Sequence, residues 1–462
     1  MIIILITILG LVMRLILANQ SFWLDEGASL MFAKLPVNQL FEAIKTDFHP
    51  PIFYLLLHYW LSLAGKSEWL IRLPFILIAV ATIPVLYLLA KEIFGTKSPI
   101  PVLASLFLAL NPLHIYYSQE LRMYSLVTLL VVLSWYFLLR RKYLLTGLLN
   151  FVGFFTFYGA IFNIISQTIY LFFNKSKHAF QSVLLITIPN LVIYLFWWPI
   201  FSIQLQNGNY LSSVLPGWQV LSGTLTLKSL FLIPLKFILG RISFDPQRLY
   251  LLIGGFMVLI FFTLASYSGK NKKTLPVWIA FIAPLIIGVL VSFKTPVLGY
   301  WRFLYILPFF TLLLAAGVEE LPKIARTATI AWICGTFLFF NLYFWTNIQF
   351  QREDWRGFSR FIENKNALIV LPFSGVFAPL NFYEPKVTYL IAQSTLGKNN
   401  QDLLQSAKKD FVSKDSLYVM DYMADLTDPD RKILKTIREM GLRELKVYNF
   451  NNLGQVYEFQ KK

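Results

Sequence analysis

Long apolar segments recur along this 462-residue chain, from its first residues to about residue 347. A helix needs about 20 apolar residues to span the hydrocarbon layer of a membrane, or somewhat fewer where the bilayer is thin. About eleven segments meet this requirement. They cover residues 2–19, 70–91, 98–116, 121–139, 143–158, 160–174, 181–200, 248–267, 274–293, 300–318 and 327–347. Because 57% of the residues are hydrophobic and only 14% are charged, one water-soluble core cannot bury them, and lipid has to be part of the solvent.

The positive charges lie in short clusters between the apolar segments. A net charge of +17 would suit a nucleic-acid partner, but the cations do not line one face of a domain, so we expect no such partner. The clusters are Lys91 with Lys97, residues 140–142, Lys175 with Lys177, residues 270–273, and Lys323 with Arg326. Every second loop is therefore basic, as cytoplasmic loops are. The pattern predicts a multi-pass protein of the cell membrane with a cytoplasmic N-terminus and an extracytoplasmic C-terminus.

The N-terminal segment, residues 1–18, lacks a basic leading region and is predicted to be a membrane anchor rather than a cleaved signal. The single cysteine, Cys334, lies in an apolar segment. Neither an intramolecular disulfide nor a cysteine-rich metal site is therefore available.

Two outer loops, residues 20–69 and 201–247, are long enough to indicate function. In the first, residues 36–44 are expected to form a short interfacial helix and residues 52–63 to lie along the membrane surface.

The composition changes after Asn347, where charges become frequent. We predict a membrane domain over residues 1–348 and a small extracytoplasmic α/β domain over residues 349–462. Its expected helices are residues 354–364 and 428–440, and its expected strands are residues 367–372, 386–391, 416–420, 445–450 and 455–459, the last two forming a hairpin.

Asp25 and Glu26 are adjacent carboxylates where the first apolar segment should leave the membrane. Ionisable groups at such boundaries tend to mark function, although a solvated start of a loop would carry the same residues at little cost. They are the first candidates for catalysis.

Asp47 and His49 precede Pro50 and Pro51, which stiffen the chain and favour an extended conformation at the histidine. The prolines also suit the start of the next helix, with Asp47 near its cap. That alternative leaves His49 unexplained.

Glu120, Arg122 and Tyr124 form a polar group between two apolar segments on the same predicted face. A helix through this region would place Glu120 and Tyr124 on one side. A structural pairing of Glu120 with Arg122 is the alternative.

Arg302 follows Tyr300 and Trp301 at another outer boundary. Its planar guanidinium can hold two phosphate oxygens, whereas the alternative is a snorkelling cation in an aromatic belt. Arg14 lies within the first apolar segment and is expected either to snorkel or to face the same cleft. The chain contains no Walker loop, zinc-spaced Cys and His cluster or Gly-x-Ser-x-Gly elbow.

Five motifs together resemble glycosyltransferase family 39, the GT-C glycosyltransferases of the protein O-mannosyltransferase and aminoarabinose-transferase type. They are Trp-Leu-Asp-Glu-Gly at 23–27, His-Pro-Pro at 49–51 with Tyr54, Gln-Glu-Leu-Arg-Met-Tyr at 119–124, Tyr-Trp-Arg-Phe-Leu at 300–304 and Glu-Asp-Trp-Arg at 353–356. The resemblance covers the membrane part well and the C-terminal domain poorly. It implies an α-helical polytopic membrane protein of GT-C-like fold.

The resemblance also implies an inverting transferase that moves sugar from a polyprenyl-phosphate carrier to an extracytoplasmic protein, lipid or glycan. Asp25 matches the family's catalytic carboxylate. Cations that hold the departing lipid phosphate can replace a general acid, and Arg122 and Arg302 are the candidates. Glu26 and His49 would shape the acceptor side, and Asp25, Glu26 and His49 would hold a divalent metal ion if one is used. Glu120 and Tyr124 complete the substrate-binding residues.

Two other classes of protein have many spans and few buried charges. A transporter or flippase for an amphiphile would place its ionisable groups near the midplane, whereas here they gather at the outer boundary. A scaffold would leave Asp25 and Arg122 without a role. We expect Asp25, Arg122 and Arg302 to meet in one outward-facing pocket.

Overall fold

A computed structural model describes residues 1–173, 179–214, 217, 221–372, 379–384, 386–391 and 400–461. The chain forms two compact units. The first, called the helical unit here, comprises Met1–Ala18, Phe41–Leu205 and Leu221–Thr346. The second, called the sheet unit, comprises Asn19–Leu40, Gln206–Val220 and Asn347–Lys462.

Helices make up most of the described chain. In chain order, α1 to α21 are Ile2–Leu15, Leu24–Lys34, Val37–Ile44, Ile52–Ala64, Glu68–Phe94, Ile100–Leu110, Pro112–Ser118, Tyr124–Leu139, Tyr143–Phe154, Ala160–Phe173, Ala179–Val214, Leu227–Leu239, Gln247–Tyr267, Leu275–Val291, Leu307–Glu319, Lys323–Thr346, Trp355–Ile362, Leu380–Tyr383, Asn400–Phe411, Ala424–Thr427 and Lys432–Arg438. A 3-10 segment, Tyr300–Ile306, leads directly into α15.

Each of the eleven predicted apolar segments contains a helix, but fewer helices are long enough to cross a membrane by themselves. Within the described residues, five pass on length and hydropathy: Glu68–Phe94, Gln247–Lys270, Lys272–Val291, Tyr300–Glu319 and Lys323–Thr346. The bent pair α6 and α7, at 59°, makes a sixth if it is one span. Five shorter apolar helices, α1, α4, α8, α9 and α10, add to the helical unit. The predicted polytopic helical membrane fold is confirmed.

The bend between α6 and α7 is stabilised by buried polar side chains. Asn111 accepts the backbone N–H groups of the first turn of α7, with its Oδ1 3.0 Å from both nitrogens. Arg14, which is fully buried, donates to the carbonyl oxygens of Ala109 at 3.0 Å and Leu108 at 3.2 Å. Both carbonyls lie at the end of α6, where helical partners run out and an apolar interior offers no water; that of Leu108 also accepts the Asn111 N–H at 3.4 Å. Arg14 thus neither snorkels nor faces the candidate site, because its charge is used to cap a helix end.

The sheet unit contains a five-stranded sheet. Its strands, β1 to β5, are Ala367–Leu371, Thr388–Ile391, Ser416–Met420, Arg443–Phe450 and Gly454–Gln460. Their order is β2-β1-β3-β5-β4, with β1 parallel to β2 and β3, and β5 antiparallel to β3 and β4. β1 and β3 are buried on both faces, which explains their uninterrupted apolar sequences. The predicted small α/β domain is confirmed, and every predicted strand overlaps an observed one.

Helices cover both faces of this sheet. α17 packs Trp355, Phe358 and Ile362 against one face, and α19 and α21 pack on the other through Phe411 and Ile437. The sequence predicted α17 and the whole of α21 but missed α19. Within residues 20–69, α3 matches the short helix predicted over residues 36–44 and α4 covers the apolar stretch 52–63, whereas α2 was not predicted.

Candidate active site

The predicted site residues fall into both units. His49, Glu120, Arg122, Tyr124 and Arg302 belong to the helical unit. Asp25 and Glu26 belong to the sheet unit.

In the helical unit, His49 lies in the turn between α3 and α4 and contacts charged groups through both ring nitrogens. Its Nδ1 is 3.2 Å from Oδ2 of Asp47, and its Nε2 is 3.1 Å from Nη2 of Arg122. The hydroxyl of Tyr54 donates to the same Asp47 oxygen at 2.6 Å. Asp47, His49 and Arg122 therefore form a continuous row of polar contacts.

The direction of these bonds follows from the donors available. A guanidinium has only donors, so Nε2 of His49 accepts from Arg122 and the ring proton resides on Nδ1, which donates to Asp47. Burial raises the pKa of Asp47, but His49, the Tyr54 hydroxyl and Arg122 outweigh this effect and lower the pKa below its ordinary value. An ionised Asp47 thus selects the His49 tautomer that holds Arg122.

Gln204, on α11, stabilises the turn that contains His49. Its Nε2 donates to the carbonyl oxygens of Ile44 at 2.8 Å and His49 at 3.3 Å. Its Oε1 accepts from the Tyr158 hydroxyl at 2.6 Å. Pro50 and Pro51 restrict the same turn from the other side, because their ring closure fixes the backbone where α4 begins.

Arg122 and Tyr124 lie where α7 turns into α8, and Arg302 lies in the 3-10 segment before α15. Arg122 and Tyr124 are both buried, and both interact electrostatically with Arg302. Nη1 of Arg302 also donates to the carbonyl oxygens of Ser222 at 2.9 Å and Pro296 at 2.5 Å. The helical unit thus contains two guanidinium groups that interact electrostatically, one hydrogen-bonded to a histidine and the other to backbone carbonyls.

Glu120 interacts electrostatically with Arg241, which was not among the site residues predicted from the sequence. Arg241 follows α12 and lies 5.3 Å from the ring centre of Tyr116. Burial lowers the pKa of Arg241, but Glu120 and three tyrosines, Tyr116, Tyr300 and Tyr117, raise it well above its ordinary value. Arg241 was detectable in the sequence as a cation in a predicted outer loop, where the positive-inside pattern expects few.

In the sheet unit, Asp25 and Glu26 lie in the first turn of α2, where the helix dipole favours negative charge. The Glu26 carboxylate is fully buried and accepts the backbone N–H of Trp23 at 3.3 Å, as in a capping box. Oε2 of Glu26 also lies 3.9 Å from Nη1 of Arg352. Asp25 is only partly buried. The geometry gives Glu26 a structural part in holding α2.

Glu353 is the second carboxylate beside Asp25. Its Oε2 accepts the backbone N–H of Leu24 at 3.1 Å and the indole N–H of Trp355 at 2.8 Å, and its Oε1 accepts the Tyr422 hydroxyl at 2.7 Å. Burial raises the pKa of Glu353 to about 7, with the three donors opposing that rise and the charge of Asp25 adding to it. Glu353 belongs to the family-like motif at residues 353–356, but the sequence predicted no role for it.

Among the described residues, no group of three or more His, Cys, Asp or Glu side chains is arranged to hold a metal ion. The sequence suggested Asp25, Glu26 and His49 as ligands of a divalent metal ion. Asp25 and Glu26 are adjacent in the sheet unit. His49 belongs to the helical unit, and its two ring nitrogens contact Asp47 and Arg122.

Comparisons with known proteins support the resemblance read from the motifs. Residues 48–202 match the family model of dolichyl-phosphate-mannose-protein mannosyltransferases. No curated protein sequence matches the chain.

Three solved structures share the fold. ArnT from Cupriavidus metallidurans in the apo state is similar at a TM-score of 0.59 and 13% identity, covering 99% of this chain and 97% of ArnT. ArnT bound to undecaprenyl phosphate is similar at a TM-score of 0.60 and 14% identity, with the same coverage of both chains. The oligosaccharyltransferase AglB from Archaeoglobus fulgidus, in complex with an inhibitory peptide and a dolichol-phosphate, is similar at 0.53 and 10% identity, covering 91% of this chain and 69% of AglB.

The matched segment contains His49, Glu120, Arg122 and Tyr124, and the shared fold extends over nearly the whole chain. The family match confirms the predicted resemblance over residues 48–202, and the chain as a whole shares the fold of ArnT.

Proposed function

We propose that the protein is an inverting glycosyltransferase that moves a sugar from a polyprenyl-phosphate carrier to an extracytoplasmic acceptor. The observation that carries the proposal is the buried guanidinium of Arg122, which donates to His49 at 3.1 Å and interacts electrostatically with Arg302. Two like charges near each other in a low-dielectric interior repel, and a bound anion relieves that repulsion. A sugar-bearing lipid phosphate supplies such an anion, and the match to mannosyltransferases over residues 48–202 supports this choice.

The proposed reaction needs one base and a stabilised leaving group. The acceptor hydroxyl attacks the anomeric carbon, and a bond forms between its oxygen and that carbon. The bond between the anomeric carbon and the phosphate oxygen breaks on the opposite side, which inverts the configuration. Asp25 takes the proton of the hydroxyl, and the electron pair leaves with the polyprenyl phosphate. Because Arg122 and Arg302 offer planar donor sets to its oxygens, the phosphate leaves as an anion without a general acid.

The remaining candidate residues support these steps. His49 accepts a bond from Arg122 and so orients the phosphate-binding cation. Glu120 and Tyr124 are proposed to contact the sugar, and Glu26 to hold α2 and shape the acceptor side.

We further propose that the protein resides in the cell membrane with its N-terminus in the cytoplasm and the sheet unit outside. The basic clusters between the apolar segments support this orientation. A Cys334→Ser background carrying Asp410→Cys should react with a membrane-impermeant maleimide in intact cells. Reaction only after permeabilisation would reverse the orientation.

Replacing Asp25 tests the proposed chemistry. Membranes that contain the protein should release polyprenyl phosphate from a polyprenyl-phosphate sugar, and Asp25→Asn should reduce that rate by about a hundredfold or more. Asp430→Asn, at an exposed carboxylate in the same unit, should leave the rate unchanged. Normal turnover by folded Asp25→Asn would show that the assigned chemistry is wrong. Mass spectrometry of surface glycans from cells lacking the protein then identifies the sugar and the class of acceptor: protein, lipid or glycan.

A further inference from the structure

We propose that Glu353 is a positioning residue for Asp25: its carboxylate fixes the first turn of α2 and so sets the direction of the catalytic carboxylate. This inference rests on the proposed function, in which Asp25 is the base. It means that the C-terminal part of the sheet unit orients the catalytic carboxylate, whether or not it also binds the acceptor.

Glu353 acts on the residue that immediately precedes Asp25. Leu24 is the first residue of α2, and the first backbone N–H groups of a helix have no partner within it. A side chain at the N-cap position usually satisfies one of these groups. Here the backbone N–H of Leu24 donates to Oε2 of Glu353, a residue distant in the sequence, at 3.1 Å.

The Glu353 carboxylate is itself held by two further donors. The Trp355 indole bonds Oε2 at 2.8 Å and the Tyr422 hydroxyl bonds Oε1 at 2.7 Å. Both aromatic side chains are buried, and their ring centres are 5.1 Å apart. Asp354 caps α17, which carries Trp355, by accepting the N–H of Gly357 at 2.9 Å. With donors on both oxygens, the carboxylate has little freedom to rotate.

Other contacts hold the residues on either side of Leu24. Arg352 approaches Glu26 at 3.9 Å, and its backbone N–H donates to Oε1 of Gln20 at 2.9 Å. The Tyr383 hydroxyl accepts the N–H of Phe22 at 3.0 Å. Of these contacts, that of Glu353 is the one that holds the backbone of Leu24, the residue before Asp25.

The two carboxylates also interact electrostatically, because the charge of Asp25 acts on Glu353. Like charges in a buried setting are unfavourable. A neutral acceptor would satisfy Leu24 without this repulsion, so helix capping alone does not account for a carboxylate here. A fixed orientation for Asp25 does, because the two terminal oxygens of Glu353 bond three donors at once and are held more rigidly than a single hydroxyl.

Three variants of the full-length protein separate positioning from other roles. Glu353→Ala removes the acceptor of the Leu24 N–H and should lower kcat about 10- to 100-fold, with the KM for a polyprenyl-phosphate sugar changing less than about threefold. Glu353→Gln should stay within about fivefold of the parent kcat, because its carbonyl oxygen can accept from Leu24 and Trp355 while its amide donates to the rotatable Tyr422 hydroxyl. Glu363→Ala, at an exposed carboxylate just after α17, is the matched control and should change nothing.

Hydrogen–deuterium exchange supplies a readout that does not depend on activity. Amides of residues 22–27 should exchange faster in Glu353→Ala and at nearly the parent rate in Glu353→Gln. If Glu353→Ala does not fold, Tyr422→Phe removes a single donor and should still lower kcat several-fold without changing KM. The positioning role is wrong if Glu353→Ala keeps the parent kcat, if Glu353→Gln is as slow as Glu353→Ala, or if exchange is the same in all variants. An unchanged kcat in Tyr422→Phe also contradicts it when Glu353→Ala cannot be obtained.

Asp25→Asn is measured in parallel to keep the two proposals apart. If Asp25→Asn is inactive and Glu353→Ala is normal, only the positioning role fails. If Asp25→Asn is fully active, the proposed chemistry fails whatever Glu353 does.

Discussion

The backbone N–H of Leu24 donates to the carboxylate of Glu353 at 3.1 Å, a bond that joins residues 329 positions apart in the sequence. Because of this and neighbouring bonds, the segment with the candidate base belongs to the sheet unit, although it follows the first apolar helix directly. The unit is therefore discontinuous along the chain. Changes near residue 353 should act on Asp25.

Glu353 should make the stability of the protein depend on pH. Its pKa is raised from the ordinary 4.5 to about 7, so between these values the folded state holds a proton that the unfolded chain has released. The stabilisation is complete below pH 4.5 and is lost as pH rises through 7, a change of about 3 kcal/mol. Because Glu353→Gln does not titrate, its thermal midpoint should rise relative to the parent as pH increases from about 5 to about 8. A constant difference between the two midpoints would show that Glu353 is ionised throughout.

His49→Ala should weaken binding of the lipid phosphate. Without the ring nitrogen, Arg122 loses a partner at 3.1 Å, and we expect the Kd for polyprenyl phosphate to rise about tenfold. Asp47→Asn should have a smaller effect, since its amide oxygen can still accept from Nδ1. His58→Ala, on α4, serves as the control for loss of a histidine. An unchanged Kd for polyprenyl phosphate in His49→Ala would show that His49 does not contribute to binding of the lipid phosphate.

Arg302→Ala should chiefly weaken binding of the donor. We expect the Kd to rise about tenfold or more, because the loss of a guanidinium removes paired donors to the phosphate. Arg302→Lys should not restore binding, since an ammonium group cannot reach the carbonyls of Ser222 and Pro296 and the phosphate together. Arg248→Ala, at an exposed cation, controls for net charge. A parent-like Kd for Arg302→Ala would exclude it from the phosphate site.

Arg14→Met should destabilise the helical unit without changing the chemistry directly. The substitution removes the donor of the Ala109 carbonyl and leaves that of Leu108 with only the 3.4 Å bond from Asn111, at a cost of about 3 kcal/mol. The thermal midpoint in detergent should therefore fall by several degrees. Arg140→Met, at an exposed position, should leave it unchanged. A stable Arg14→Met protein would mean that water or another side chain satisfies these carbonyls.

Local sequence patterns predicted much of the fold. The apolar segments gave the helices of the helical unit because hydrophobic length is a property of contiguous residues. Strands β1 and β3 were predicted from short apolar runs, and the β4–β5 hairpin from its turn residues. The amphipathic α19 and the polar α2 were missed, since neither has a long apolar run and both pack within the sheet unit.

The sequence by itself determined that this chain is a multi-pass helical membrane protein with a small C-terminal α/β domain, and it selected His49, Arg122, Arg302 and Asp25 as candidates for chemistry. Only the tertiary structure decided which atoms bond to them. It showed that His49 is engaged by Asp47 and Arg122, that Arg241 accompanies Glu120, and that Glu353 holds the residue before Asp25. The physical reason is range: hydropathy and turn formation depend on neighbouring residues, whereas hydrogen bonds and charge interactions form between groups that only folding brings within a few ångströms.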